Sequence, residues 1–209
     1  MKPKIICEIG CNHKGEIDIA KKMIKVAKEF CNADVVKFQK RNPKELLSKE
    51  EYNKPHPVPS NSYGSTYGEH REFLEFSLDQ HKNLKKYCEE IDIEYSSSVW
   101  DITSAKEIIS LKPRMVKIPS AVNNNLELLE WIYKNYDGEI HISLGMTFKT
   151  EEESIIKVAK NAKKISNTIL YHCVSGYPVD VEDLYLLEID NLKKRYGEEI
   201  KGIGFSGHH

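Results

Sequence analysis

The chain has 209 residues, enough for one substantial core, and its 31 basic and 32 acidic side chains leave a formal net charge of −1. That balance exerts no global pull toward nucleic acid or an anionic membrane, and 30% charged with 40% hydrophobic residues is the make-up of an ordinary globular protein. No apolar stretch approaches bilayer length, and Met1-Lys2-Pro3-Lys4 leads straight into a strand-like run without the apolar core of a signal peptide, so a cytoplasmic protein is expected.

The first strand-like run is Ile5 to Ile9, and Glu8 stands near its end in Cys-Glu-Ile-Gly-Cys-Asn-His-Lys-Gly. Gly10 and Gly15 permit a tight loop there, with Asn12 and His13 either reaching the strand's end or forming the turn. Ile19, Ala20, Met23, Ala27, Phe30 and Cys31 recur at helical spacing and predict a helix that faces a sheet. A second strand, Asp34 to Phe38, carries Lys37 and is followed at once by Gln39. The stretch from Arg41 to Asp79, rich in Pro, Ser, Asn, Tyr and charge, is too long for a simple connection; from Tyr67 it reads as the start of a helix that either covers the strand ends or is a solvated excursion.

Ile93 to Ser97 forms the third run, with Ser98 just beyond it, and Met115 to Ile118 the fourth, with Lys117 inside it and Ser120 after it. The fifth, Glu139 to Ser143, ends on a serine, and Thr150-x-x-Glu153 behind it has the form of a capping box. The sixth, Thr168 to His172, leads to Tyr177; Leu184, Leu187, Leu192 and Tyr196 then predict a helix stopped at Gly197. Lys201 to Phe205 is the seventh, followed by Ser206, Gly207, His208 and His209.

Strict alternation of strand and helix predicts parallel strands, because a parallel pair cannot be joined by a tight hairpin. Nearly continuous apolar runs such as Val-Val-Lys-Phe and Met-Val-Lys-Ile suit strands covered on both faces. The fold class is therefore α/β, a (β/α)8 TIM-barrel type with about seven units present, in which strand-end residues converge on one face. No internal linker is visible, so residues 1–209 read as one incomplete barrel domain.

An ammonium group cannot face the apolar layer between sheet and helices, so Lys37 and Lys117 must point into the barrel or out at its mouth. With Ser120, Ser143 and Ser206 they would suit a phosphate or carboxylate; alternatively, interior carboxylates neutralise them. Glu8 is placed to orient a substrate hydroxyl, to act as a base, or to pair with one of these lysines. Five cysteines without a Cys-x-x-Cys pair fit reduced thiols, and eight scattered histidines show no metal-site spacing. On the chain alone, His208 is the polar end of a loop.

Taken in order, Cys-Glu-Ile-Gly-Cys-Asn-His-Lys-Gly (7 to 15), Val-Lys-Phe-Gln (36 to 39), Ser-Ser-Val-Trp-Asp (97 to 101), Lys-Ile-Pro-Ser (117 to 120), Ser-Leu-Gly-Met (143 to 146), Ser-Gly-Tyr-Pro (175 to 178) and Gly-Phe-Ser-Gly-His (204 to 208) resemble the N-acetylneuraminate (sialic acid) synthase family from Ile5 to His209. The resemblance implies condensation of phosphoenolpyruvate with an N-acyl mannosamine or related amino sugar to a nonulosonic acid and phosphate. It implies catalytic roles for Glu8, Lys37 and Lys117. Lys37, Lys117, Ser120, Ser143 and Ser206 would hold phosphoenolpyruvate; Glu8, Gln39 and Tyr177 would contact the sugar. Ser98 stands where the family commonly has Thr and keeps the hydroxyl.

His208 matches one of two metal-binding histidines, with Mn²⁺ or Mg²⁺ as the implied ion. Ser120-Ala121-Val122 replaces the Ser-Gly-Glu of many members, which leaves the acceptor sugar open. The second metal histidine, the eighth strand and a C-terminal antifreeze-like domain would fall beyond His209, so a truncated barrel is expected. Its open strand edges would favour association or instability, and a homo-oligomer is expected. Two other readings stand beside this one: a condensation like that of 3-deoxy-octulosonate phosphate synthase, and an inactive truncated barrel serving as a binding or interaction module.

Overall fold

In the computed structural model, which describes residues 2–208, every assigned strand pair is parallel and follows sequence order. Met1 and His209 lie outside the described residues. The chain divides between Arg114 and Met115 into two compact units. In the first, β1 (Ile6–Gly10) pairs with β2 (Val35–Lys40), and β2 with β3 (Glu94–Val99). In the second, β4 (Met115–Ile118), β5 (Glu139–Ser143), β6 (Thr168–Cys173) and β7 (Gly202–Ser206) pair in succession. These are the seven expected strands, with ends shifted by one or two residues.

Helices supply every crossover. In the first unit, α1 (Ile17–Glu29) joins β1 to β2, and α2 (Pro43–Leu46), α3 (Lys49–Asn53), α4 (Tyr67–Phe73) and α5 (Leu78–Glu90) lie between β2 and β3. α6 (Ile102–Ser110) follows β3. In the second unit, α7 (Leu126–Asn135), α8 (Lys149–Asn161) and α9 (Leu187–Tyr196) follow β4, β5 and β6. All residues of β4, β5 and β6 are buried, as strands covered on both faces must be.

The first unit's core packs Ala20, Ile24 and Ala27 of α1 and Leu84 and Cys88 of α5 on Val36, Phe38 and Tyr95. The helical stripe therefore turns on Ile24 rather than on Phe30 and Cys31, because α1 ends at Glu29 and Phe30, 79% exposed, already belongs to the turn. α8 differs from expectation in the same way. It begins at Lys149, and the Glu151 carboxylate, not that of Glu153, accepts the N–H of Phe148 at 2.8 Å. Among three consecutive glutamates, the start of the helix decides which one caps it. α9 stops at Gly197 as expected: a Cβ there would meet the Lys193 carbonyl at 2.5 Å.

Candidate active site

In the first unit, pairing register brings four expected residues together. Glu8 and Lys37 are opposite one another across β1 and β2, as are Gln39 and Ser98 across β2 and β3. Lys37 and Gln39, two apart on one strand, project from the same face. The Lys37 ammonium is ion-paired with the Glu8 carboxylate and donates to Ser98 Oγ at 3.1 Å. Gly10, at φ +56°, interrupts the β1 register, and Gln39 Nε2 and Glu8 Oε1 each lie 3.5 Å from where its Cβ would be. The left-handed backbone at this bulge lets the chain turn away directly over the polar cluster.

Asn12 and His13 do not join it. Asn12 donates to the Ile9 carbonyl at 3.0 Å, closing the turn. His13 is buried, stacks on Phe76 with ring centroids 4.0 Å apart, and accepts the Gly15 N–H at 3.1 Å. Loss of solvent pushes its imidazole down to about 4.

In the second unit, Lys117 is only 7% exposed and has no carboxylate partner among the described residues. Its Nζ instead lies 3.9 Å from the centroid of the Tyr171 ring. Burial pushes the ammonium down to about 8. The negative face of an aromatic ring partly replaces the lost water without neutralising the charge. Gly204, opposite Tyr171 in register, makes room for that ring, because a Cβ there would overlap it.

Behind Tyr171, its phenol meets His141 Nδ1 at 2.8 Å, His141 Nε2 meets Glu139 at 3.3 Å, and Lys201 meets Glu139 at 3.0 Å. A neutral imidazole that donates from Nε2 to the carboxylate accepts the phenol proton at Nδ1. The His141 contact, with help from Lys201, holds Glu139 down to about 2 despite its burial. Sequence reasoning missed this chain, although Glu139, His141 and Ser143 alternate at a spacing that puts them on one face of β5.

Two of the expected serines are fixed by the turn after β5. Ser120 Oγ accepts the Gly145 N–H at 3.0 Å, and a Cβ on Gly145 would overlap Ser175 Oγ, so Ser120 and Ser175 converge there. Asn123 donates to the Ser143 carbonyl and to Thr147 Oγ1, both at 2.6 Å, and so clamps the end of β5. Neither Asn123 nor Ser175 was singled out as a site residue; a side-chain-to-carbonyl clamp has no sequence spacing of its own.

Ser206 pairs in register with Cys173. Tyr177 is 76% exposed, with its ring 4.3 Å from that of His208. His208 Nδ1 lies 3.3 Å from the Val174 carbonyl, and the His208 carbonyl accepts the Val179 N–H at 3.0 Å. No group of three or more His, Cys, Asp or Glu side chains suited to a metal occurs among the described residues. One imidazole flanked by a phenol ring and a carbonyl supplies a single ligand where a divalent-metal centre takes about three, so the described residues alone would not hold the implied ion.

Parallel strands with helical crossovers and cationic or hydroxyl side chains at their C-terminal ends define a β/α protein of TIM-barrel type. The chain belongs to the NeuB family, whose model matches residues 23–209. It is 36% identical over 204 residues to the N-acetylneuraminate-9-phosphate synthase of Drosophila melanogaster, covering 98% of this chain and 53% of that protein. The Homo sapiens protein of the same description is 35% identical, with 98% and 55% covered. Among solved structures, the N-acetylneuraminic acid (sialic acid) synthetase of Leptospira borgpetersenii in complex with citrate matches with a TM-score of 0.82 and 28% identity, over 99% of this chain and 66% of that one. The chain spans about half the length of the curated relatives it matches.

Proposed function

We propose that this protein condenses phosphoenolpyruvate with an N-acylated amino sugar to give a nonulosonic acid and inorganic phosphate. The observation that carries the reading is Lys117, a buried ammonium over the Tyr171 ring without a carboxylate partner among the described residues, in a chain of the NeuB family. A charge kept unneutralised in a poorly solvated position is matched to an incoming anion. The relatives' names favour this over an octulosonate-type condensation.

In the proposed reaction, C3 of phosphoenolpyruvate attacks the aldehyde carbon of the open-chain sugar. A carbon–carbon bond forms, the aldehyde oxygen takes up a proton, and C2 is left as an oxocarbenium ion. Water adds to C2 and loses a proton. In the tetrahedral adduct the C2 hydroxyl then gives up its proton as the bond from C2 to the phosphate oxygen breaks, which expels phosphate and leaves a ketone at C2.

Lys117, Ser120, Ser143 and Ser206 would hold the donor's phosphate and carboxylate. Lys37 would release Glu8 to meet an anionic group of the substrate, freeing the half-exposed Glu8 to accept or return a proton at a sugar hydroxyl. Gln39, Ser98 and Tyr177 would bind substrate. A Mn²⁺ or Mg²⁺ requirement with His208 as one ligand, a homo-oligomeric assembly and a cytoplasmic location are proposed on family grounds. No helix among the described residues is long and apolar enough to cross a membrane.

The test is calorimetric titration with phosphoenolpyruvate, together with phosphate release in the presence of amino-sugar acceptors. Binding that Lys117→Ala weakens on the order of a hundredfold is the expected result. A chain that binds no phosphoenolpyruvate would instead be an inactive barrel module.

A further inference from the structure

His141 is buried on β5, opposite Lys117 of β4 in register, and carries none of the substrate-binding roles given above. The two side chains are joined through a third. Tyr171 is rooted on β6; its phenol reaches His141 Nδ1 at 2.8 Å, and Lys117 Nζ lies 3.9 Å from the centroid of its ring. The strand neighbours on either side leave that ring room. Ser143 is opposite it on β5, and Gly204, opposite it on β7, has no Cβ to strike it. Between two such small residues, what fixes the far end of the ring is the hydrogen bond from its phenol to the imidazole.

The remaining partners keep His141 in the form that accepts this bond. Nε2 faces Glu139 at 3.3 Å, so a neutral imidazole carries its proton there and presents a lone pair to the phenol. Lys201, 3.0 Å from Glu139, balances the carboxylate, so no second cation is called for beneath Lys117. A phenol that donates its proton leaves its ring richer in electrons, which deepens the negative face on which the ammonium rests. Among the described residues of this unit, the titratable groups facing Lys117 are His141 on β5 and Tyr171 and Cys173 on β6, and Cys173 favours the charged ammonium.

Building on the condensation reading, we propose that His141 is a positioning residue for the donor: by accepting the Tyr171 phenol proton it fixes the ring under Lys117, and the ring holds the ammonium charged and in place for phosphoenolpyruvate. His141 acts here without touching the donor.

The experiment reads Lys117 in the free protein. The full chain is labelled with carbon-13 at lysine Cε, the Lys117 signal is identified by its loss in Lys117→Arg, and its titration midpoint is followed by NMR in wild type and variants. Tyr171→Leu, which removes the ring, is expected to lower the midpoint by about one pH unit. His141→Leu and Tyr171→Phe should each lower it roughly half as far, and the double variant no further than either alone, because both break the same bond. His141→Asn, whose carboxamide oxygen stands where Nδ1 stood, should restore the wild-type midpoint. Calorimetry with phosphoenolpyruvate at pH 8 should then show about twofold weaker binding in His141→Leu than in wild type, and near-equal binding at pH 7.

An unmoved midpoint in His141→Leu or Tyr171→Leu, single effects that add in the double variant, or a His141→Asn midpoint no higher than that of His141→Leu would overturn the role. Lowered midpoints in a chain that binds no phosphoenolpyruvate would sustain the hold of His141 on Lys117 and sink the condensation reading instead. If His141→Leu does not fold, Tyr171→Phe and His141→Asn decide: a lowered midpoint in the first and a wild-type one in the second are expected, and equal midpoints would overturn the role.

Discussion

Lys37 and Lys117 occupy the same kind of position, an ammonium directly flanked by apolar strand residues, one in each unit, and their surroundings differ. Lys37 is paired with Glu8, which is 46% exposed, and is bonded to Ser98, so its charge is balanced at the edge of solvent. Lys117 is buried over the Tyr171 face with no carboxylate partner among the described residues. The first arrangement is stable as it stands and yields to a ligand only by exchange. The second retains charge at a cost in stability, because a desolvated cation is only partly compensated by a ring. Removing the charge should therefore cost anion affinity most at Lys117 and stability most at Lys37.

The largest effect tests that contrast directly. Lys117→Ala is expected to weaken phosphoenolpyruvate binding on the order of a hundredfold, and Lys37→Ala by less, since Lys37 must first leave Glu8. Calorimetry on both variants measures the difference, and equal losses would erase the distinction. Next comes pH. Since burial pushes the Lys117 ammonium down to about 8, phosphoenolpyruvate affinity should fall as pH rises through that value, whereas Lys117→Arg, charged throughout, should stay flat. For folding the sign reverses: between about 8 and the ordinary 10.5 the unfolded chain holds a proton that the folded chain has lost, so this group's destabilisation is relieved as pH rises.

Acid should separate the units. His13 and His81, pushed by burial down to about 4 and about 3 from an ordinary 6.5, refuse protons that the unfolded chain accepts, so the first unit weakens as pH falls below 6.5. Glu139 in the second unit, held down to about 2, contributes stability that is complete above 4.5 and lost only between there and 2. Hydrogen exchange followed by mass spectrometry at pH 5 should show amides of the first unit opening first; simultaneous opening would refute the assignment. The smallest expected effect is in thermal unfolding at neutral pH. Lys37→Met should cost less than about 1 kcal/mol because Glu8 can be solvated, while Lys117→Met should be neutral or stabilising by about that amount.

Much of this was legible in the residues. Strand–helix alternation reports the crossovers that parallel pairing requires, so all seven strands were placed to within one or two residues. A lysine inside an apolar strand had to point away from the apolar layer, which singled out Lys37 and Lys117. The helix at Tyr67 was also foreseen. Other features were not legible. Phe30 was misplaced because helical periodicity does not say where a helix ends, and Tyr171 and His141 went unremarked because their significance depends on what lies beside them.

The amino-acid sequence by itself determined the β/α class, the row of polar residues at the strand ends and the family, because these depend on local periodicity and on motifs in fixed order. Only the tertiary structure decided which lysine found a carboxylate and that Tyr171 and not an acid lies beneath Lys117. Charge pairing is settled between residues distant in the chain, by strand register and by the helix that packs over a strand end. No spacing along one segment can encode such a choice.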